Sequence, residues 1–474
     1  MACYIVFATA LIAIGGAAAL IAVSGKVMAA SLAESVRLAV TGNPEIDIVR
    51  ANRRAVEQQL RQASAGYLPS LDVTGSAGPE YVDSVTTRNR GPGSTGSAEQ
   101  MRVDGQIRLS QMLFDGFETP SEVARQRARL GSASYRVQET AETIGVDAAE
   151  AHLDVLRNLE IVALNERNVE THERLLDQVQ RLERSGAGPI SDLRQAEARL
   201  ARAIESRTRA QGSLADAIAF YERVVGLPPE VLELDEPPLA ALPPGREAAA
   251  GAASLGSPPV LIAAADIDAA EAALRAARAG YYPRFDVELS AEGADDAAGI
   301  DGHDVRASAL VVMRYNLFRG GGDVAREREA FQRLNEARAQ LLRARRRAEE
   351  EARVSYNAFE TARRRVEALI REAEAQRQTR DAYLEEFQIG RRDLLDVLDG
   401  ENELFIARAQ LVTARYTERF AVYRLLGVLG ALLDTLDISP PAEADSAAVA
   451  RAQTPQLIGD KSLPPGEPPS RPWP

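Results

Sequence analysis

Two runs of the chain alternate between apolar and polar residues with a period of two, which predicts strands. In "VRASALVVMRYNL" (305–317) every odd position is apolar or aromatic, and the even positions include arginine, serine and asparagine. The stretch 103–113 alternates less regularly, and a shorter alternating run precedes each of the two. The pattern therefore predicts β-hairpins at 70–114 and 285–318, with strands of about ten residues that suit a membrane β-barrel. The same pattern also fits a surface hairpin on a soluble domain.

After each hairpin, apolar residues recur at three- and four-residue spacing, which predicts helices. Proline interrupts neither 120–185 after its first residue nor 323–388, so each stretch is predicted to form one helix. At 1.5 Å per residue such a helix is on the order of 100 Å long. Alanine fills many of the apolar positions, as in closely packed coiled coils. A glycine-containing turn and a return helix follow, at 191–225 and 393–429.

The chain contains a long internal duplication. "AGYLPSLDV" (65–73) returns as "AGYYPRFDV" (279–287), and the sequences that precede them align without gaps at an offset of 214 residues. The sequence therefore predicts two structural repeats, at 31–240 and 241–438. Each repeat contains a helix, a hairpin, a long helix and a return helix, and a linker closes the first repeat. A period of about 200 residues excludes short solenoid repeats.

The duplicated phrase predicts a switch from helix to strand. A helix is expected over 43–65. Gly66 is expected to cap it in the left-handed conformation, and Pro69 prevents its continuation.

The two ends of the chain differ in composition from the repeats. Residues 1–30 are apolar and end in small residues, so they are predicted to be a signal peptide, cleaved near Ala29 or Ala30. The segment lacks a positively charged start, so an uncleaved anchor is the alternative. Residues 439–474 are rich in proline and are expected to be a disordered tail. Beyond the leader we find no run of about 20 apolar residues, so we expect no further transmembrane helix. Any membrane insertion of the mature protein would then use strands.

Composition and charge narrow the function. The hydrophobic fraction is 45% but only 5% of residues are aromatic, which favours an elongated, mostly helical protein over a large globular core. The net charge of −13 argues against nucleic acid as a partner. The three histidines are His152, His172 and His303, and the first two lie on different faces of one predicted helix. We expect no metal site, no cofactor and no enzymatic activity.

Four strands per chain cannot close a barrel. Open strand edges inside lipid would leave backbone groups unpaired, at several kcal/mol each. If the hairpins cross a membrane, several chains must share one barrel, and the amphipathic long helices would pack side by side into a cylinder.

Several phrases together resemble the TolC-like outer membrane factor family over nearly all of the chain up to about residue 438. They are the two "AGYxP" phrases, "LFDG", "LFRGGGDVAREREA", "GAGPISDLRQAEARLARA" and "GRRDLLDVLDGENEL". The resemblance implies a homotrimer in the outer membrane of a Gram-negative bacterium. Its twelve-stranded β-barrel, contacting outer-membrane lipid, would continue as a long periplasmic α-helical barrel. Implied partners are a periplasmic adaptor (membrane fusion) protein and an inner-membrane ABC exporter or proton-driven pump.

Candidate functional residues lie at the two turns between long and return helices. Asp396 and Asp399 are at i and i+3, so they share a helix face just after the turn at Gly390. Three copies around an axis would form two carboxylate rings that attract cations. Locally, two aspartates also fit a helix N-terminus, which favours negative charge. The resemblance places the matching aspartates at the periplasmic constriction.

By the same resemblance, Ser191 and Asp192 on the first turn and Arg392 on the second make links that hold the tip closed. Phe387 stands where the family often has a tyrosine whose hydroxyl joins these links. The chain departs from the family pattern at that position.

The function implied is that of an exit duct for an inner-membrane pump, opened by an iris-like motion of the coiled coils. The segments 390–404 and 415–433 are more similar to the type I secretion branch, which exports proteins, than to the drug-efflux branch. The alternatives are a small-molecule efflux channel and an exported coiled-coil structural or adhesive protein.

Overall fold

The computed structural model describes residues 30–88, 96–186 and 188–445. The predicted signal peptide except Ala30, and the predicted tail beyond residue 445, lie outside the described residues. The elements are α1 (Leu32–Gly42), α2 (Pro44–Ala65), β1 (Ser70–Val82), α3 (Val85–Arg88), β2 (Ala98–Phe114), α4 (Glu118–Arg184), α5 (Ile190–Val225), α6 (Arg246–Gly256), α7 (Pro258–Ala277), β3 (Arg284–Ala297), β4 (Ile300–Arg314), α8 (Gly322–Gln388), α9 (Leu394–Leu429) and α10 (Leu432–Thr435).

The predicted fold class, mostly helical with one β-hairpin in each repeat, is confirmed. The long helices α4 and α8 have 67 residues each, and the return helices α5 and α9 have 36 each. α4 packs against α2 and α7 in its strand-proximal half and against α5 and α9 towards its other end. α8 packs against α7 and α9 in the same way. Each long helix thus runs beside two shorter helices placed one after the other.

The main hydrophobic core lies near the middle of α4. Apolar residues of α1, the end of α5, the end of α9 and α10 meet α4 there, and Val36, Ala148, Val422 and Leu426 are fully buried. Because helices end or begin at this level, their side chains close the gaps between successive short helices. The core therefore joins the half of the molecule next to the strands to the half that ends in the helical turns.

Glycines end both return helices in the left-handed conformation, which suits glycine best. Gly226 after α5 has φ 86° and Gly430 after α9 has φ 70°. A Cβ atom at Gly430 would lie 2.7 Å from Cδ of Pro258, the first residue of α7. The end of α9 therefore abuts the beginning of α7.

The two hairpins form one antiparallel sheet in the order β1-β2-β3-β4. β2 pairs with β3 across the repeats, with Leu109 opposite Leu289. The strands have 13, 17, 14 and 15 residues, longer than the predicted length, and β4 ends at Arg314, earlier than the predicted boundary at 318. Within the described residues, the outer edges of β1 and β4 have no strand partner. The sheet is therefore open at both sides.

The predicted left-handed cap at Gly66 is wrong. Gly66 has φ −59° and ψ −17°, which is right-handed. Three successive i to i−3 hydrogen bonds tighten the end of α2, so the chain stays right-handed up to Leu68. A Cβ at Gly66 would come within 3.2 Å of both the Ala63 carbonyl oxygen and Thr119 Cγ2. Glycine therefore suits this position by its size.

One stretch within the described part of the chain, Arg246–Tyr281, is long and apolar enough to qualify as a membrane span by length and composition alone. This departs from the sequence prediction that no further candidate exists. Ser257 has extended backbone (ψ 139°) and divides the stretch into α6 and α7. α7 packs along α4 and α8, so its alanine-rich face serves contacts between helices.

Candidate functional site at the helical turns

The candidate residues lie where the two helical hairpins turn. Gly186 (φ 76°) and Gly390 (φ 71°) adopt the left-handed conformation after α4 and α8, which reverses the chain direction. Phe387 is half-buried against an apolar cluster shared by both hairpins. The buried members of this cluster are Leu175, Val179, Ala196, Leu394, Val397 and Leu398.

Arg392 is held by groups of its own hairpin. Its Nε donates to Glu386 Oε2 at 2.6 Å, and its Nη1 donates to Asp396 Oδ2 at 3.1 Å. The guanidinium also lies over the ring of Tyr383, 4.0 Å from the ring centre. The hydrogen bond with Glu386 raises the pKa of Arg392, so the guanidinium stays protonated. The structure thus brings two of the predicted residues together, Arg392 and Asp396.

Asp399 has a different partner. Its Oδ1 accepts a hydrogen bond from Nη2 of Arg199 on α5 at 2.5 Å. The Arg199 side chain is 18% exposed and that of Asp399 is 55% exposed. Throughout the described residues, this is the one ion pair that joins the α4–α5 hairpin to the α8–α9 hairpin. The two neighbouring aspartates are therefore paired with arginines from different hairpins.

Ser191 and Asp192 stay within the first turn. Ser191 Oγ donates to Asp192 Oδ1 at 3.3 Å, and both side chains reach solvent. Across the ranges that the structure describes, neither is bonded to Arg392. The links that the family resemblance implies for these three residues therefore stay a prediction.

A largely buried ion pair, Arg380 with Glu401, lies on the α8–α9 hairpin away from its turn, and the sequence analysis did not predict it. Arg380 Nη1 donates to Glu401 Oε1 at 2.7 Å, and Glu401 is only 8% exposed. The sequence does contain a signal for this pair, since Arg380 precedes Gly390 by ten residues and Glu401 follows it by eleven. Such nearly equal distances from a turn are expected of partners across a helical hairpin. Arg199 and Asp399 gave no comparable signal because they belong to different hairpins.

Two of the three histidines, His152 and His172, are buried on α4, whereas His303 is exposed on β4. His152 Nε2 donates to the carbonyl oxygen of Glu233 at 2.8 Å, and Nδ1 accepts from Ser35 Oγ at 2.9 Å. Burial lowers the pKa of His152 and that of His172. Within the described residues, no group of three or more His, Cys, Asp or Glu side chains is arranged to hold a metal ion.

Comparison with known proteins gives one consistent result. The family model "Outer membrane efflux protein" matches residues 36–225 and 250–431, one segment in each repeat. The outer membrane efflux protein BepC of Brucella suis biovar 1 is 28% identical over 423 residues, which cover 87% of this chain and 89% of BepC. The outer membrane protein TolC of Escherichia coli (strain K12) is 24% identical over 425 residues, covering 85% and 83%. The proteases secretion protein PrtF of Dickeya chrysanthemi is 23% identical, covering 83% and 86%.

The fold agrees with this assignment. The crystal structure of the outer membrane protein VceC from Vibrio cholerae superposes with a TM-score of 0.70 at 18% identity, covering 84% of this chain and 96% of VceC. The duplicated helical hairpins, the open four-stranded sheet and the family match in both repeats confirm the expected TolC-like fold and its outer-membrane location. The chain belongs to the outer membrane efflux protein family.

Proposed function

We propose that the protein is the outer-membrane exit duct of a tripartite export system, formed by three copies of the chain. The observation that supports this best is the sheet whose two outer edges, on β1 and β4, have no strand partner in the described chain. In lipid such edges are costly, so the sheet must be completed by other copies. Three chains with four strands each give a closed barrel of twelve strands, within the range of bacterial outer-membrane barrels.

Conduction rather than chemistry is the activity that we propose. Three copies would place Asp396 and Asp399 in two stacked carboxylate rings at the periplasmic end, where they would attract cations and repel anions. Ser191, Asp192 and Arg392 would link neighbouring hairpins between chains. Docking of a periplasmic adaptor and an inner-membrane pump would then open the end by moving the coiled coils.

For cargo, we favour proteins delivered by an ABC exporter. This preference rests on the segments 390–404 and 415–433 and on the similarity to PrtF, which is named for protease secretion. Small-molecule efflux with a proton-driven pump is the second candidate, because BepC is named an efflux protein.

The channel function is tested with protein purified from the outer membrane. We expect a trimer that needs detergent for extraction, withstands SDS and forms cation-selective pores in planar bilayers. Asp396→Asn combined with Asp399→Asn should weaken cation selectivity and block by divalent cations, because the rings lose their charge. Asp177→Asn, at an exposed position on α4, serves as the matched control.

A protein that is fully soluble after removal of the leader and shows no conductance would instead be an exported coiled-coil structural or adhesive protein. The cargo class is tested by deleting the gene. Loss of a secreted protein with unchanged drug sensitivity supports protein secretion, and the opposite result supports small-molecule efflux.

A further inference from the structure

The ion pair between Arg199 and Asp399 lies at the proposed constriction and belongs to both hairpins. Arg199 projects from α5 and is mostly buried, whereas Asp399 on α9 is more than half exposed. The 2.5 Å contact joins Nη2 of the arginine to Oδ1 of the aspartate. The positive charge is therefore packed beneath a carboxylate that faces solvent.

The ion pairs of Asp396 and Asp399 would respond differently to a separation of the two hairpins. Asp396 is bonded to Arg392, which follows the same turn, so the two would move together with the α8–α9 hairpin. Arg392 also shares its charge with Glu386. Asp399 has its described partner on the other hairpin, so a separation of the hairpins would break this pair and leave the first intact.

The pair between Arg199 and Asp399 is weak enough to break when the two hairpins separate. Pairs between partly exposed groups contribute little stability, so the binding of another protein readily breaks them. A charge at the constriction affects a passing ion even where its pairing adds little stability. Charges within about 8 Å of each other are only partly screened at physiological ionic strength.

We propose that Arg199 sets the ion selectivity of the channel by neutralising Asp399 for as long as the two hairpins stay in contact. The inference rests on the proposed channel function and adds a residue outside the predicted set. It follows that separating the hairpins frees Asp399, so that an open constriction is more cation-selective than a closed one.

Arg199→Gln tests this in planar bilayers, with the reversal potential measured in a KCl gradient. Removing one cation per chain beside the exposed Asp399 should raise the permeability ratio of potassium to chloride by about twofold or more. The concentration of a divalent cation that half-blocks the current should fall correspondingly. Arg202→Gln is the matched control, since Arg202 is exposed on the same helix and its loss removes the same charge.

The role of the pair itself is tested in a second background. If Arg199 neutralises Asp399, Arg199→Gln and Asp399→Asn should shift selectivity in opposite directions, and the double variant should return close to the wild-type value, because the pair and its replacement are both neutral. Exchanging the two charges, with Arg199→Asp and Asp399→Arg, should restore the pair and return the selectivity towards the wild-type value. Arg199→Lys keeps the positive charge and should stay close to wild type. Arg199→Met, which lacks the charge, repeats the test if the glutamine variant fails to fold.

The proposal is overturned if Arg199→Gln shifts selectivity no more than Arg202→Gln does, or if the double variant Arg199→Gln with Asp399→Asn departs from wild type as far as either single variant. Either result leaves the channel function standing, because both need wild-type pores. If the wild-type protein forms no pores, it is the proposed channel function that fails.

Discussion

Replacing Gly430 by alanine should destabilise the protein far more than the equivalent change at Gly226. Both glycines end a 36-residue return helix, both are left-handed, and they occupy corresponding places in the two repeats. They differ in their surroundings. A Cβ at Gly430 would lie 2.7 Å from Pro258 Cδ and 3.1 Å from its Cγ, whereas a Cβ at Gly226 would meet nothing within 4 Å.

The magnitude follows from two separate costs. A non-glycine residue in the left-handed region costs about 1–2 kcal/mol, and both variants bear this. Only Gly430→Ala adds a clash, and proline is too rigid to move aside. Forcing extra atoms into a packed region costs typically about 1–3 kcal/mol. We therefore expect about 1–2 kcal/mol for Gly226→Ala and about 2–5 kcal/mol for Gly430→Ala.

Circular dichroism at the helical minimum, followed during denaturant unfolding of the detergent-solubilised protein, measures this difference. Gly430→Ala should show the larger loss in the free energy of unfolding. Pro258→Ala should relieve part of it when combined with Gly430→Ala, because the ring is the clashing group. Equal losses for the two glycine variants would refute the reasoning that α9 abuts α7.

Three further predictions concern the core. Burial raises the pKa of Glu142 to about 7, so the free energy of unfolding should fall by about 3 kcal/mol as pH rises from about 4.5 to about 7. Glu142→Gln should remove this loss when unfolding is measured as a function of pH. Burial lowers the pKa of His152, so stability should fall as pH drops below about 6.5, and His152→Gln should flatten the unfolding profile on that side. Leu426→Ala, in the main core, should cost about 2–5 kcal/mol of unfolding free energy, and Leu395→Ala, which is 49% exposed, less than about 1 kcal/mol.

The periodicity of apolar residues was enough to predict most of the fold. The long helices begin at Glu118 and Gly322, within two residues of their predicted starts, and neither helix contains a proline beyond its first turn. The ends of the strands were predicted less accurately than those of the long helices. Glycine and proline within β1 weaken the alternating signal, yet pairing with β2 continues through Pro79 to Val82.

The site was predictable only in part, because a one-dimensional pattern does not show contacts between hairpins. The i and i+3 spacing placed Asp396 and Asp399 on one helix, but it carried no information about which cation each would meet. The Gly66 error has a related cause. A proline stop nearby suggested a left-handed cap, whereas the actual requirement is the narrow space beside Thr119, which only the packed structure reveals.

The equal lengths of corresponding helices in the two repeats restrict how this architecture changes during evolution. One residue inserted into α4 would rotate every later side chain by about 100° and misplace its apolar seam. Seven residues nearly restore the seam and add about 10 Å. The insertion would have to be matched in the helix beside α4 and again in α8 and its neighbour, since both repeats keep 67 and 36 residues. Such proteins should therefore lengthen or shorten in coordinated steps of two helical turns.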